Sequence, residues 1–179
     1  MVATAQKTAT LFWSSISSHK GTCVVMATEA GVCWAGTPGT PAAEGFAWLR
    51  RKLAYTEVIE GEEVAPLRQA MDELRRYFTG EPLQFACPLD LHGTPFQIAV
   101  WQEMFRIPYG ETLTYAELAD TIGRHGAARA VGSACATNPV AVIVPCHRVV
   151  GSNGSLIGYG GGLSTKEWLL ALEKSKKLQ

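Results

Sequence analysis

Residues 114–139 leave the chain few choices. Thr114-Tyr115-Ala116-Glu117 has the form of a capping box, in which Thr114 and Glu117 satisfy each other's backbone N–H groups at the start of a helix. Leu113 and Leu118 stand where a hydrophobic staple would place them, and Gly123 is placed to end the helix. Tyr115, Leu118, Ala119 and Ile122 share one face. A short turn then leads to a second helix, expected over about residues 126–138 and stopped by Pro139. Two short helices joined in this way read as a helix-turn-helix.

The second helix carries an unusual face. Arg129, Gly132, Ser133 and Ala136 recur at i, i+3, i+4 and i+7, which sets one long basic residue among very small ones. A helix with its side chains is about 10 to 12 Å across and the DNA minor groove only about 6 Å wide, so close approach needs small residues and some widening of the groove. Tight packing against another helix would use the same residues.

On either side the pattern divides the chain. Thr94-Pro95 opens an earlier helix that Pro108 ends, and Ser164-Thr165-Lys166-Glu167 looks like a capping box for a last one. The first half mixes strand and helix signals. Strands are expected over residues 10–17, 22–27 and 32–35, broken at Gly21 and Gly31 into a meander or hairpin. Phe46, Leu49 and Leu53 recur at helical spacing, as do Leu67, Met71, Leu74 and Phe78, with Arg68, Arg75 and Arg76 outside that stripe on a solvated face. An extended stretch over residues 87–94 reads as a boundary. The fold class is therefore α/β (α+β): a small N-terminal domain of mixed sheet and helix over residues 1–91, then a mainly helical domain with the helix-turn-helix over residues 92–179.

Cysteine usage bears on the compartment. Cys23, Cys33, Cys87, Cys135 and Cys146 are odd in number and include no Cys-x-x-Cys pair, which argues against a disulfide framework. With no signal-peptide pattern and no run near the ~20 apolar residues of a membrane span, a soluble cytoplasmic protein with no membrane partner is expected. The net charge is zero, but residues 121–166 hold no Asp or Glu while Arg124, Arg129, Arg148 and Lys166 fall within them, as suits a surface facing phosphates. A plain Gly-rich and Ala-rich segment would look the same.

Reactive chemistry centres on residues 142–151. Val142, Ile143 and Val144 look strand-like and end at Pro145, which delivers Cys146, His147 and Arg148. The thiolate is the nucleophile, and an unperturbed Cys is only about 3% thiolate at pH 7, so a neighbouring base and positive charge matter. His147 and Arg148 are placed to supply them.

Five motifs in order now resemble one family. Tyr109-Gly110-Glu111-Thr112 leading into Tyr115, Ala128-Arg129-Ala130-Val131-Gly132, Asn138-Pro139, Pro145-Cys146-His147-Arg148-Val149-Val150 and Tyr159-Gly160-Gly161-Gly162-Leu163 resemble the O6-alkylguanine-DNA alkyltransferases. The close match runs over about residues 94–173. The resemblance implies direct DNA repair: the helix-turn-helix enters the minor groove of double-stranded DNA, the O6-alkylguanine is flipped out of the stack, and its alkyl group passes irreversibly to Cys146. Arg129 would fill the space the base leaves, with Ala130, Gly132, Ser133 and Ala136 allowing close approach. His147 would take the thiol proton through water, oriented by Glu173, and Tyr115 would donate to the departing purine. Asn138 would fix the turn carrying the cysteine, while backbone groups of Cys146 and Val149 read the base edge. Cys135, Tyr159 and Gly160 would line the base site. Some members have Ser at the position of Gly160, which here keeps only its N–H.

The helical wheel supports Glu173. Trp168, Leu169, Leu170, Leu172 and Glu173 form one arc, so the carboxylate lies among apolar residues and needs a buried partner such as His147. Some family members bind zinc in the first domain. Cys23, Cys33, His19 and His92 match no familiar zinc spacing, so no metal is expected, and with no nucleotide-binding glycine loop no cofactor either. A monomer is expected, and each molecule should act once, because nothing here can hydrolyse a thioether. Two readings stand beside transfer: a protein that binds alkyl lesions without reacting, and a DNA-binding regulator. The second helix offers a regulator few long polar side chains for reading bases. A cysteine hydrolase would further need an oxyanion hole.

Overall fold

The computed structural model describes residues 9–175. Strands β1 (Ala9–Ser18), β2 (Gly21–Ala27) and β3 (Val32–Ala35) form the expected antiparallel meander. Helix α1 (Ala42–Arg50) then leads to β4 (Tyr55–Glu60), which lies parallel to β1 and completes a sheet in the order β3-β2-β1-β4. Leu53 falls beyond the end of α1. The edge strand β4 escaped the sequence reading because most of its residues are exposed, so no buried alternation marks it.

Each face of the sheet meets a helix. Val24 and Met26 of β2 pack with Leu11, Cys33, Trp34 and Leu49 against α1, where a Cβ on Gly45 would come within 2.7 Å of the Trp34 ring. The alternate residues Cys23, Val25 and Ala27 face α2 (Ala65–Phe78) and its buried Leu67, Met71, Leu74 and Tyr77. Arg68, Arg75 and Arg76 are exposed on α2, and Arg75 pairs with Glu62 and Asp72, Arg76 with Glu81.

Local chemistry governs the second half. Helix α3 (Pro95–Phe105) starts at a capping box made by Thr94 and Gln97. Next come β5 (Leu113–Thr114) and α4 (Tyr115–Thr121), with both hydrogen bonds of the Thr114–Glu117 box present and Gly123 at φ +66° beyond the C-cap. Helix α5 (Ala128–Ala136) is shorter at both ends than expected. Gly126, at φ +76°, belongs to the turn, and Asn138 Oδ1 accepts from Val140 N at 3.0 Å, which draws the chain out of the helix.

Two further expectations are corrected. Residues 142–144 form a tight turn and not a strand, because Val142 sits at φ +69° while Ala35 of β3 donates to Pro139 O and accepts from Ala141 N, each at 2.8 Å. A 3-10 turn (Cys146–Arg148) follows, then β6 (Val149–Val150) beside β5. Helix α6 (Leu163–Ser175) starts before Ser164, which lies inside the first turn, while Thr165 and Lys166 donate to Gly162 O. One continuous core runs from Val25 and Leu74 through Trp101 and Leu118 to Val149 and Leu169. Among the described residues no helix is long and apolar enough to cross a membrane.

Candidate active site

The turn that carries Cys146 is held from two sides. The edge of β3 fixes residues 139–141, and Asn138 Nδ2 donates to Val144 O at 2.8 Å, tying the start of the turn to its end. Val142 is β-branched and left-handed, an unfavourable backbone state that these bonds enforce. Cys146 is half-buried, and its N–H donates to Val144 O at 2.9 Å. Burial pushes its thiol pKa up, with Asn138 and Lys166 pulling it down.

His147 and Arg148, next in the chain, belong to a buried polar cluster. His147 Nε2 lies 2.7 Å from Glu173 Oε1, both side chains wholly inaccessible, and His147 Nδ1 is buried without a protein partner. Burial lowers the His147 pKa, opposed by Glu173. Glu173 also takes Arg148 Nε and Nη2 at 3.0 Å, Gly110 N at 2.9 Å and the Tyr77 hydroxyl at 2.7 Å. Burial raises the Glu173 pKa, yet the bonds and charges of His147 and Arg148 outweigh it and hold the group down at about 2. The carboxylate is therefore a fixed charge.

In front lies a cavity of about 240 Å³. It is lined by Tyr115 of α4, by Gly132, Cys135 and Ala136 of α5, and by Cys146, Gly158, Tyr159 and Gly160. The structure thus brings together seven of the expected residues. Asn138 and Cys146 line an adjoining cavity of about 170 Å³. Tyr115 donates to Ile157 O at 3.1 Å, and burial, with Cys135 and Cys146 nearby, pushes its pKa up to about 12, so it stays a donor. Burial likewise pushes the Cys135 thiol up to about 12. Arg129, Ala130 and Ser133 are exposed on α5 and do not line this cavity. Val149 is buried outside it, its N–H donating to Cys146 O and its carbonyl accepting Lys166 Nζ at 2.7 Å. With the N–H groups of Cys146 and Val149 engaged, only a second lone pair on each carbonyl is left to face a base.

The small face of α5 is largely open, with the Tyr115 ring of α4 its neighbour at Gly132. A Cβ placed on Gly132 would meet only the Tyr115 ring, at 3.8 Å, while Arg129, Ser133 and Ala136 are exposed. Packing inside the chain does not demand its smallness.

Two cations are reassigned. Arg148 does not serve Cys146: its guanidinium holds Glu173 and donates to Ile107 O at 2.6 Å. Lys166 is fully buried, its Nζ donating to the carbonyls of Val149 and Ile157, and its charge is the one that lowers the Cys146 pKa. Of the four cations in the acid-free stretch, only Arg124 and Arg129 reach the surface. Tyr77 was missed as well. It extends the Leu67, Met71 and Leu74 stripe by one turn, and a phenol at a core position signals a buried partner for its hydroxyl.

A half-buried thiol followed by a His buried against a Glu, set beside the small-residue helix of a helix-turn-helix, defines a class of proteins with a reactive cysteine next to a nucleic-acid-binding element. Residues 95–175 match the family model described as 6-O-methylguanine DNA methyltransferase, DNA binding domain, and residues 11–91 match that family's ribonuclease-like domain. A methylated-DNA--protein-cysteine methyltransferase of Mycobacterium bovis is 58% identical over 107 residues, which are 60% of this chain and 65% of that relative. The inducible enzyme of that name from Bacillus subtilis is 39% identical over 92% of this chain and 91% of its own. The crystal structure of Mycobacterium tuberculosis OGT in complex with DNA superposes with a TM-score of 0.76 at 40% identity, covering 92% of this chain and 93% of that one. The chain belongs to the 6-O-methylguanine DNA methyltransferase family.

Proposed function

We propose that this protein repairs O6-alkylguanine in double-stranded DNA by moving the alkyl group to its own Cys146, one group per molecule. The observation that carries this reading is the pairing of His147, the residue after Cys146, with Glu173, with Nδ1 of His147 buried and still unpartnered. Glu173 holds Nε2 protonated, which leaves Nδ1 as the base. The thiol proton passes to Nδ1 through a water, and the Sγ thiolate attacks the alkyl carbon in line with the bond to O6. That bond breaks, its electron pair goes to the guanine, a donor such as the Tyr115 hydroxyl protonates the purine after leaving Ile157 O, and the proton held by His147 returns through water to restore the Tyr115 phenol and the neutral imidazole. A thioether and an unmodified guanine remain, and no cofactor enters the balance.

A base inside the duplex cannot reach Cys146, so it must leave the stack. The exposed small face of α5 supports a minor-groove approach, with Arg129 occupying the vacated space and Ala130, Gly132, Ser133 and Ala136 allowing contact. Cys135, Tyr159 and Gly160 form the pocket wall, and Asn138 keeps the thiol turn in place. We further infer a chain divided at residues 91 and 92, acting as a monomer in a reducing cytoplasm; five unpaired cysteines support that compartment.

Intact-mass measurement tests the reading. Exposure to an oligonucleotide carrying O6-methylguanine is expected to add one methyl group to the native protein and none to Cys146→Ala. Excess substrate should give one equivalent and no more. An unchanged native mass overturns the assignment, and repeated turnover overturns the single-use mechanism.

A further inference from the structure

Tyr77 brings the first half of the chain into the buried polar cluster of the second. Tyr77 lies on α2, fully buried, and donates its hydroxyl to Glu173 Oε1 at 2.7 Å while standing 3.3 Å from His147 Nε2. Its ring meets that of His147 at 6.5 Å between centroids and packs edge-on against Tyr109 at 6.0 Å, so its position is set by the core. Beside the Arg148 guanidinium, Glu173 Oε1 thus receives an imidazole and a phenol from opposite halves of the chain.

We propose that Tyr77 is a positioning residue for alkyl transfer, through which the N-terminal half sets how strongly Glu173 binds the proton on His147. The inference rests on the transfer reading above. A hydrogen bond to a carboxylate withdraws charge from it. The less charge Oε1 offers His147, the less the protonated imidazole is favoured over the neutral one. His147 must be neutral to accept the thiol proton, so the Tyr77 hydroxyl keeps the base usable at lower pH. The other groups facing His147 act in known directions: Glu173 of α6 favours its protonation, while Arg148 on the same turn and Lys166 of α6 oppose it. Tyr159 meets the ring at 6.5 Å edge-on and, like Tyr77, stays neutral because burial raises its pKa. Tyr77 alone couples this balance to α2.

The test is the pH profile of single-turnover methyl transfer by the full chain. In Tyr77→Phe the acid limb is expected to move up by about one pH unit, the size of one hydrogen bond to a charged group. The plateau rate and DNA affinity should change little. Tyr109→Phe, which removes a neighbouring hydroxyl bonded only to Leu172 O at 3.4 Å, should leave the limb in place. If Tyr77→Phe does not fold, 3-fluorotyrosine at position 77 keeps the ring and is a stronger donor, and the limb should move down. Superimposable limbs for wild type and either variant overturn the proposal, as does an equal shift in Tyr109→Phe. A wild type that transfers no methyl group overturns the transfer reading itself, and this inference with it.

Discussion

Glu173 shows how much can hang on one carboxylate. Buried alone it would be protonated, yet it accepts from His147, Tyr77, Arg148 and Gly110 and stays ionised. Glu173→Gln keeps the size and removes the charge, leaving the Arg148 guanidinium uncompensated in the core. Breaking one side of such a pair costs about 3 to 5 kcal/mol, which urea unfolding at pH 7 would read directly. The pH dependence follows from the direction of the shift. The folded pKa of about 2 lies below the unfolded value, so the stabilisation is complete above pH ~4.3 and is lost as the pH falls toward 2. Wild-type stability should fall steeply across that window, and Glu173→Gln should flatten the fall. The carboxylate itself was legible in the sequence, because the wheel set it among Trp168, Leu169 and Leu172. Its partners were less so. Arg148 and Lys166 looked like surface cations, and only tertiary packing, with Ile107 O, Val149 O and Ile157 O waiting inside, makes burial tolerable.

Among elements, the helices with strong end signals were the easiest to foresee. Thr94, Thr114 and Gly123 act through bonds to residues within three positions, so the sequence contains both partners. Residues 142–144 were misread for the opposite reason. Three β-branched apolar residues favour a strand, but β3 and Asn138 bend them into a turn, and neither constraint is local. Helix α5 offers the clearest separation of folding from function. Ser133 is exposed, its hydroxyl bonded only back to Arg129 O at 3.2 Å, so Ser133→Leu should alter stability by no more than about 0.5 kcal/mol. On the face proposed to enter the groove, the same side chain should hold the backbone away from DNA. A thermal melt unchanged within error, together with at least a tenfold loss of affinity in a fluorescence titration with duplex DNA, is the expected pair of results. Unchanged affinity would mean that α5 does not approach the groove by this face.

At the scale of the whole molecule, the two halves meet too intimately for the second to work alone. Ala35 of β3 makes two backbone hydrogen bonds to residues 139 and 141, just ahead of the cysteine, and Tyr77 of α2 bonds to Glu173. The core is continuous between them, with Leu74 and Tyr77 of α2 in the same cluster as Val140, Val144 and Leu169. Residues 92–179 produced by themselves would expose that apolar surface, release the turn that forces Val142 to φ +69°, and leave Oε1 of Glu173 without its phenol donor. Near-ultraviolet circular dichroism of the isolated segment should therefore show weak tertiary signal, and its methyl transfer should be at least a hundredfold slower. Adding residues 1–91 in trans should restore both, because the lost contacts lie in one interface and not in the chain connection at the boundary. Full-rate transfer by residues 92–179 alone would reduce the N-terminal half to a passenger, contrary to the bonds made by Ala35 and Tyr77.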